Sequence, residues 1–221
     1  MNYSVILSIA GLQGTLCPLS IGVMPKIRPE TAAKRRMQIL KAAHCAFNRD
    51  GINVSVDQIC AEAGVSKGNF YGYFESKDEL ILAIAREQGE LIRSSTQVET
   101  VDELINRIMP FQLDGDVSAS RFELEAWTYS LSNPELRSTF RQNLRDLDRS
   151  IAMDLQRLAP GPGKPSKAEA LEAAEILRIF AVGMMANTAI VDQTDDELME
   201  SVKKLIDLLI NVGRDPALGK G

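Results

Sequence analysis

The stretch SVDQICAEAGVSKGNFYGYFESKDEL, residues 55–80, decides how the whole chain is read. Its apolar residues fall at helical rather than alternating intervals. Ser55 stands three residues before Gln58, the spacing of a capping box in which each side chain satisfies an otherwise unpaired backbone N–H. The pattern predicts a helix that starts at Ser55 and ends at Gly64, a residue free to adopt the positive φ of a sharp turn. Val65 is placed to plug between helices, and Ser66 to cap a short helix that runs to about Phe74. A second box, Ser76-Lys77-Asp78-Glu79, opens a longer helix carrying Leu80, Ile81, Ile84 and Leu91 until polarity rises near Ser94.

Helix, tight turn and short helix make a helix-turn-helix. In the short helix Phe70 and Phe74, at i and i+4, can face the core while Gly68, Asn69 and Gly72 face away, with Lys67 and Tyr71 flanking that outward face. Two glycines in so short a helix are each unfavourable by roughly 1 kcal/mol relative to alanine. Close approach of the backbone to a DNA groove would explain why they are kept bare.

Working outward, a helix is expected from about Thr31 to Arg49, with Ile39, Leu40, Ala43 and Phe47 in phase and Gly51 as its stop. Downstream, helical patterns cover about residues 101–113, 118–131 and 134–158, the last opened by Asn133-Pro134 as cap and first-turn proline. Pro160-Gly-Pro-Gly-Lys-Pro165 cannot continue a helix and reads as a loop. Two strongly apolar helices, about 166–192 and 195–212, close the chain, and their apolar residues exceed one stripe. No β-branched run bounded by turns suggests a sheet. The expected fold is all-α: residues 24–75 as a three-helix helix-turn-helix domain, 76–213 as a helical effector-binding and dimerisation domain, and 214–221 as a tail.

Composition agrees with a globular protein, at 45% hydrophobic and 25% charged residues. The net charge of −5 argues weakly against a nucleic-acid partner, but its distribution reverses that. Met24 to Lys77 holds nine basic residues against five acidic ones, a local +4 that leaves −9 for the rest. The basic leader Lys26–Arg36 reads equally as a phosphate-tracking or minor-groove arm and as a solvated tail. Cys17, Cys45 and Cys60 have no CxxC spacing and His44 is the single histidine, so no zinc site, other metal site or cofactor is expected. Cys60 reads as a small buried hydrophobe. Residues 1–23 carry no charged side chain and are broken by Gly11, Gly14, Pro18 and Gly22, a poor export signal or membrane span. Met24 reads as the physiological start, with the upstream stretch an unstructured tail or a misplaced start, and a short anchor or signal is the alternative. The expected location is the cytoplasm.

Residues 34–85 resemble the DNA-binding domain of the TetR family. Ile39-Leu40-Lys41-Ala42-Ala43 with Phe47 and Gly51 is similar to the family's first helix, and Ile59 to Leu80 resembles its helices two to four almost position by position. The family-type domain then spans about residues 33–93. The resemblance implies a homodimer whose recognition helices enter successive major grooves of a palindromic operator, with a C-terminal domain that binds a small effector and dimerises through the last two helices. It implies a DNA-binding set of Ser55, Ser66, Lys67, Gly68, Asn69, Tyr71, Gly72, Tyr73 and Lys77. Within it Lys67, Gly68 and Asn69 match positions that approach base edges, and Tyr71, Tyr73 and Lys77 match positions that contact phosphates. Asn69 suits an adenine edge and Lys67 suits guanine acceptors. Packing is the alternative role for the two tyrosines, and a solvated surface charge for the two lysines. Gly72 departs from the family pattern, in which many members carry a large side chain there, and this leaves the operator sequence open.

The segment Phe122-Glu123-Leu124-Glu125-Ala126-Trp127, followed by Pro134-Glu135-Leu136 and an Arg-rich helix, resembles the C-terminal region of the choline-responsive BetI branch. Met109, Phe111, Phe122, Trp127, Met153, Met184 and Met185 could line an apolar effector cavity, or belong to ordinary core, and Asn187 could be a polar pocket group or a hydrogen bond across the dimer. No phosphate loop, nucleophile motif or metal spacing supports an enzyme. A helical adaptor that binds protein would need an apolar, uncharged recognition face, which Lys67 and Asn69 do not provide.

Overall fold

The computed structural model describes residues 29–108, 118–159, 164–188 and 195–211. Expectations for residues 1–23, Met109, Phe111 and the 214–221 tail lie outside the described residues. Among the described residues there are nine helices and no strand: α1 (Pro29–Asp50), α2 (Val56–Ala63), α3 (Lys67–Tyr71), α4 (Lys77–Ser94), α5 (Val101–Ile108), α6 (Ser118–Ser130), α7 (Pro134–Leu158), α8 (Lys167–Thr188) and α9 (Asp195–Asn211). None of them is long and apolar enough to cross a membrane.

The helix ends follow from local chemistry. Helix α1 buries one stripe, Ile39, Leu40, Ala43, Ala46 and Phe47, and stops where Gly51 takes a φ of 89° and donates its N–H to the Phe47 carbonyl at 2.9 Å. A side chain at Gly51 would also collide with Arg121 and Glu125 of α6, so this glycine serves both the turn and a close helix approach. Helix α2 begins with the complete Ser55/Gln58 capping box and ends at Gly64, whose φ is 63°. Asn133 caps α7 ahead of Pro134. Helix α3 is shorter than the pattern suggested and ends at Tyr71. The Gly72 N–H reaches back to the Gly68 and Asn69 carbonyls, and the Tyr73 and Phe74 N–H groups both reach Phe70, so the chain tightens into a turn instead of continuing the helix.

Two buried clusters hold the fold. The first joins α1 to α4 with Phe122 and Ala126 of α6 and Leu136 and Phe140 of α7. The second gathers α5, the C-terminal half of α7, α8 and α9. Helix α4 runs through the first cluster with six consecutive buried residues, Leu80 to Ala85, because α1 packs on one side of it and α7 on another. On the α7 side, buried Asn143 donates from Nδ2 to the Ala85 carbonyl at 2.7 Å and lies over Gly89. Burial of charge in the body is paired. Asp154 accepts from Arg107, from Arg157 at 3.1 Å and from the Val98 N–H at 3.3 Å, and Asp148 accepts from Arg178 at 2.6 Å. An unpaired carboxylate in either place would be strongly destabilising.

Phe47 is fully buried and stacks on Phe122 with ring centroids 5.5 Å apart. Phe47→Ala should therefore lower the unfolding free energy by about 3–5 kcal/mol, the range for a large aromatic removed from a core. Urea denaturation followed by circular dichroism would show this as a lower midpoint at unchanged slope, and a loss under about 1 kcal/mol would contradict the assigned packing.

Candidate nucleic-acid interface

The turn between α2 and α3 is fixed by backbone and caps before any side chain acts. The Gly64 and Val65 N–H groups close on the Ala61 and Cys60 carbonyls, and Ser66 Oγ accepts the Asn69 N–H at 3.2 Å. Val65 packs at the edge of the first cluster and Cys60 is buried with its thiol pushed up by that burial, the behaviour of a small core residue. Phe70 and Phe74 are sealed in the core with tilted rings 5.8 Å apart, and the Arg36 guanidinium covers the Phe74 ring at 5.3 Å while pairing with Glu87 of α4. These contacts set the rotation of α3. Its other residues, Lys67, Gly68, Asn69 and Tyr71, together with Gly72, are exposed.

Most of the sequence-predicted set comes together on this one face, in unequal states. Tyr71 is 51% exposed and held edge-on against Phe70, so its hydroxyl is directed by an apolar anchor. Gly68 and Gly72 are exposed, and a Cβ on Gly68 would meet only Ser66 Oγ at 3.9 Å. Space inside the protein therefore does not demand a glycine at 68. Ser55 and Ser66 are exposed caps at the N-terminal ends of α2 and α3, where backbone N–H groups favour anionic oxygens. Tyr73 is half-buried against the first cluster. Lys77 is also half-buried, and its ammonium donates to the Ile52 and Val54 carbonyls at 3.0 and 3.4 Å, closing the loop after α1.

Lys67 is engaged as well. Its Nζ lies 2.8 Å from Asp57 Oδ1 at the start of α2, and this hydrogen bond holds the ammonium pKa above its usual value. Sequence reasoning missed Asp57 as a participant, since a pair ten residues apart across a turn leaves no periodic signal. Arg49 at the end of α1 pairs with Glu62 of α2 at 3.0 Å, which further locks the first two helices.

Helix α6 carries one of this unit's contacts with the body, beside the packing of α1 on α4. Its Phe122 stacks on Phe47 and meets His44 edge-on at 5.4 Å, and the Phe122 N–H donates to Asn48 at 3.3 Å. Arg121 donates to the Arg49 carbonyl at 2.9 Å, Glu125 accepts the Ile52 N–H at 2.6 Å, and the Tyr129 hydroxyl donates to Asp78 at 2.7 Å. Burial lowers the His44 pKa and favours the neutral ring.

The described residues among those suggested for an apolar effector cavity lie in different places. Phe122 belongs to the first cluster and Trp127 packs against it, Met184 packs against the second cluster, and Met153 is 60% exposed on α7. Met153 lies between the buried residues Ala152 and Asp154, about half a turn from the centre of the buried stripe, so its helical phase turns it outward. Met185 is buried and Asn187 half-buried on α8. The unusual polar group is Glu123. Its Oε1 accepts from Gln88 of α4 at 3.1 Å, whereas its enclosed Oε2 has no hydrogen-bond partner among the described residues. Burial pushes this carboxyl up to about 7. Among the described residues no group of side chains could hold a metal ion.

A capped α2, a left-handed glycine turn and a short helix that presents Lys67, Gly68, Asn69 and Tyr71 define a helix-turn-helix protein. Residues 39–84 match the family model described as bacterial regulatory proteins, tetR family. The chain is 32% identical over 147 residues to the HTH-type transcriptional regulator BetI of Brucella anthropi, an alignment that takes in 61% of this chain and 73% of that protein. BetI of Serratia proteamaculans is 26% identical over 178 residues, 76% of this chain and 86% of that protein. Among solved structures, Salmonella enterica GusR superposes with a TM-score of 0.59 at 22% identity, covering 89% of this chain and 100% of that one. A regulator from Saccharomonospora viridis in complex with choline gives 0.61 at 18% identity, covering 79% and 96%. The chain belongs to the TetR family of bacterial transcriptional regulators.

The Glu123 carboxyl makes stability depend on pH with a definite sign. Below its ordinary value of 4.5 both folded and unfolded chains hold the proton, between 4.5 and about 7 only the folded chain does, and stability falls as pH rises through that window. The full loss, about 3 kcal/mol from the size of the shift, is present above pH 7. Glu123→Gln, which keeps the shape without the charge, should raise the melting temperature at pH 8 and leave it nearly unchanged at pH 4. Equal melting of both proteins at pH 8 would contradict the buried, proton-holding carboxyl.

Proposed function

We propose that this protein is a cytoplasmic repressor that binds a palindromic operator as a homodimer and changes its affinity for DNA when a small effector binds its C-terminal body. The supporting observation is the division of labour on α3: Phe70 and Phe74 are locked in the core, and the opposite face offers Lys67, Gly68, Asn69 and Tyr71 to solvent. Such a face fits a major groove, with Asn69 and Lys67 reading base edges and the Tyr71 hydroxyl, the Ser55 and Ser66 caps and the adjoining N–H groups holding phosphates. Gly68 and Gly72 let the backbone come close. Lys77 acts chiefly by bracing the loop, with its remaining hydrogen open to a phosphate. Tyr73 contributes to the same surface through its hydroxyl, its ring serving the core. The division at residues 75 and 76 is functional in this view: residues 24–75 read DNA and residues 76–213 dimerise and sense the effector.

Dimerisation is supported by the apolar surface left on the last two helices. Ile176 is 50% and Ile179 62% exposed on α8, and Leu208 is exposed on α9. Pairing these faces between two chains removes them from water, worth about 25 cal/mol for each Å² of apolar surface covered. A four-helix interface of this kind fixes the spacing of the two α3 helices, and an effector that favours one spacing is linked to operator affinity.

Binding to DNA from upstream of the protein's own gene, titrated against salt, tests the operator assignment. Wild type should bind tightly and selectively with a steep salt dependence. Tyr71→Ala should weaken binding about tenfold, and Lys67→Ala should reduce the salt slope by about one while relaxing base preference. Equally weak binding by all three proteins to a panel of palindromic sites would overturn it. Separately, the double change Ile176→Asp with Ile179→Asp should convert a dimer to a folded monomer in sedimentation velocity, and an unchanged dimer would place the interface elsewhere.

A further inference from the structure

A groove of about 300 Å³ runs between α4 and α7, away from the exposed face of α3. Its walls are polar. Arg86 and Arg93 enter from α4, and Ser138, Gln142, Asn143 and Arg145 from α7, so three guanidinium groups face one cleft whose lining holds no carboxylate. Gly89, buried in the middle of α4, lies against Asn143. A Cβ there would overlap Asn143 Oδ1 and come within 3.1 Å of Arg93 Nη1. A glycine is unfavourable in a helix interior, and here it allows the buried Asn143 to reach the Ala85 carbonyl.

Arg86 and Arg145 are only lightly committed: Arg145 donates to Gln142 at 3.4 Å, and Arg86 pairs with Glu135 at 2.8 Å where both side chains are mostly exposed. Arg93 is held more firmly, by exposed Glu90 and by Asp146, which is only 12% exposed. An exposed pair such as Arg86–Glu135 is worth little beside a bidentate oxyanion in a cleft. Arg86 and Arg93 stand seven residues apart, about 10 Å along the helix, so charge is offered at both ends of the groove.

We propose that this groove binds a small organic anion with more than one acidic group, held at one end by Arg93 and Arg145 and at the other by Arg86 and the Ser138 hydroxyl. Such a ligand would tie α4 to α7. Since α4 begins at the Ser76 cap two residues after Phe74, a restraint on its axis is passed to the reading unit, a regulatory consequence that rests on the operator-binding function above.

Calorimetric titration of the full-length, DNA-free protein with pyrophosphate and with citrate, at constant ionic strength, tests the site independently of any operator. Wild type should bind at least one of them with one site per chain. Arg86→Gln and Arg145→Gln should each weaken that binding at least tenfold, with circular dichroism confirming the fold, whereas Lys67→Gln should leave it unchanged. Binding of neither anion to wild type, binding unaffected by both groove variants, or binding lost only in Lys67→Gln would each overturn the proposal, the last by placing the anion on the DNA-reading face. A positive titration with no operator binding would keep the groove and remove its regulatory role.

Discussion

The docking of α6 across the C-terminal end of α1 is the constraint on which the connection between reading unit and body depends. It combines an aromatic stack, Phe122 on Phe47, with three polar fastenings: Asn48 to the Phe122 N–H, Glu125 to the Ile52 N–H and Arg121 to the Arg49 carbonyl. The stack supplies burial and the polar contacts supply register: Arg121 and Glu125 satisfy backbone groups at and just after the end of α1, and Asn48 of α1 accepts a backbone N–H of α6. Gly51 makes the approach possible, since any side chain there would occupy the space of Arg121 and Glu125. Movement of α6 is therefore felt at the end of α1, and α1 in turn carries the first cluster that orients α3.

Orientation of so short a helix cannot come from its own hydrogen bonds. Five residues are too few for a stable isolated helix, and α3 is held by Ser66 at one end, by the Gly72 turn at the other, by Phe70 between them and by Phe74 just beyond the turn. The same anchoring gives a rigid exposed face, and a rigid face is what selective recognition of DNA requires. Electrostatics then tune it. Lys67 is not a free cation but one partner of Asp57, an exposed ion pair that sets an acid beside the exposed face of α3.

The body buries several polar side chains. Asp148, Asp154 and Asn143 all lie inside with partners, whereas Glu123, between α4 and α6, keeps one oxygen without a partner among the described residues. The paired groups fix helix positions by hydrogen-bond geometry in places where apolar packing alone would permit sliding. Glu123 does the opposite, because a carboxyl that is comfortable only when protonated makes the α4–α6 contact sensitive to its surroundings.

Local chemistry in the sequence determined the elements of the reading unit. The Ser55/Gln58 box, Gly64, the Ser66 cap and the Phe70/Phe74 spacing each act within a few residues, so their outcome was legible without a fold, as was the all-helical class from the 3.6-residue periodicity. The length of α3 was misjudged because apolar spacing continues through Phe74 while the hydrogen bonds at Gly72 have already turned the chain. Tertiary structure alone decided the rest: that Lys67 meets Asp57, that Lys77 spends its donors on the Ile52 and Val54 carbonyls, that Met153 faces outward and Phe122 inward to α1, and that three arginines line a groove between α4 and α7. Each of those depends on which face of one helix meets which face of another. Periodicity identifies a buried stripe but not its partner, and that pairing is set by packing across distances in sequence that no local pattern records.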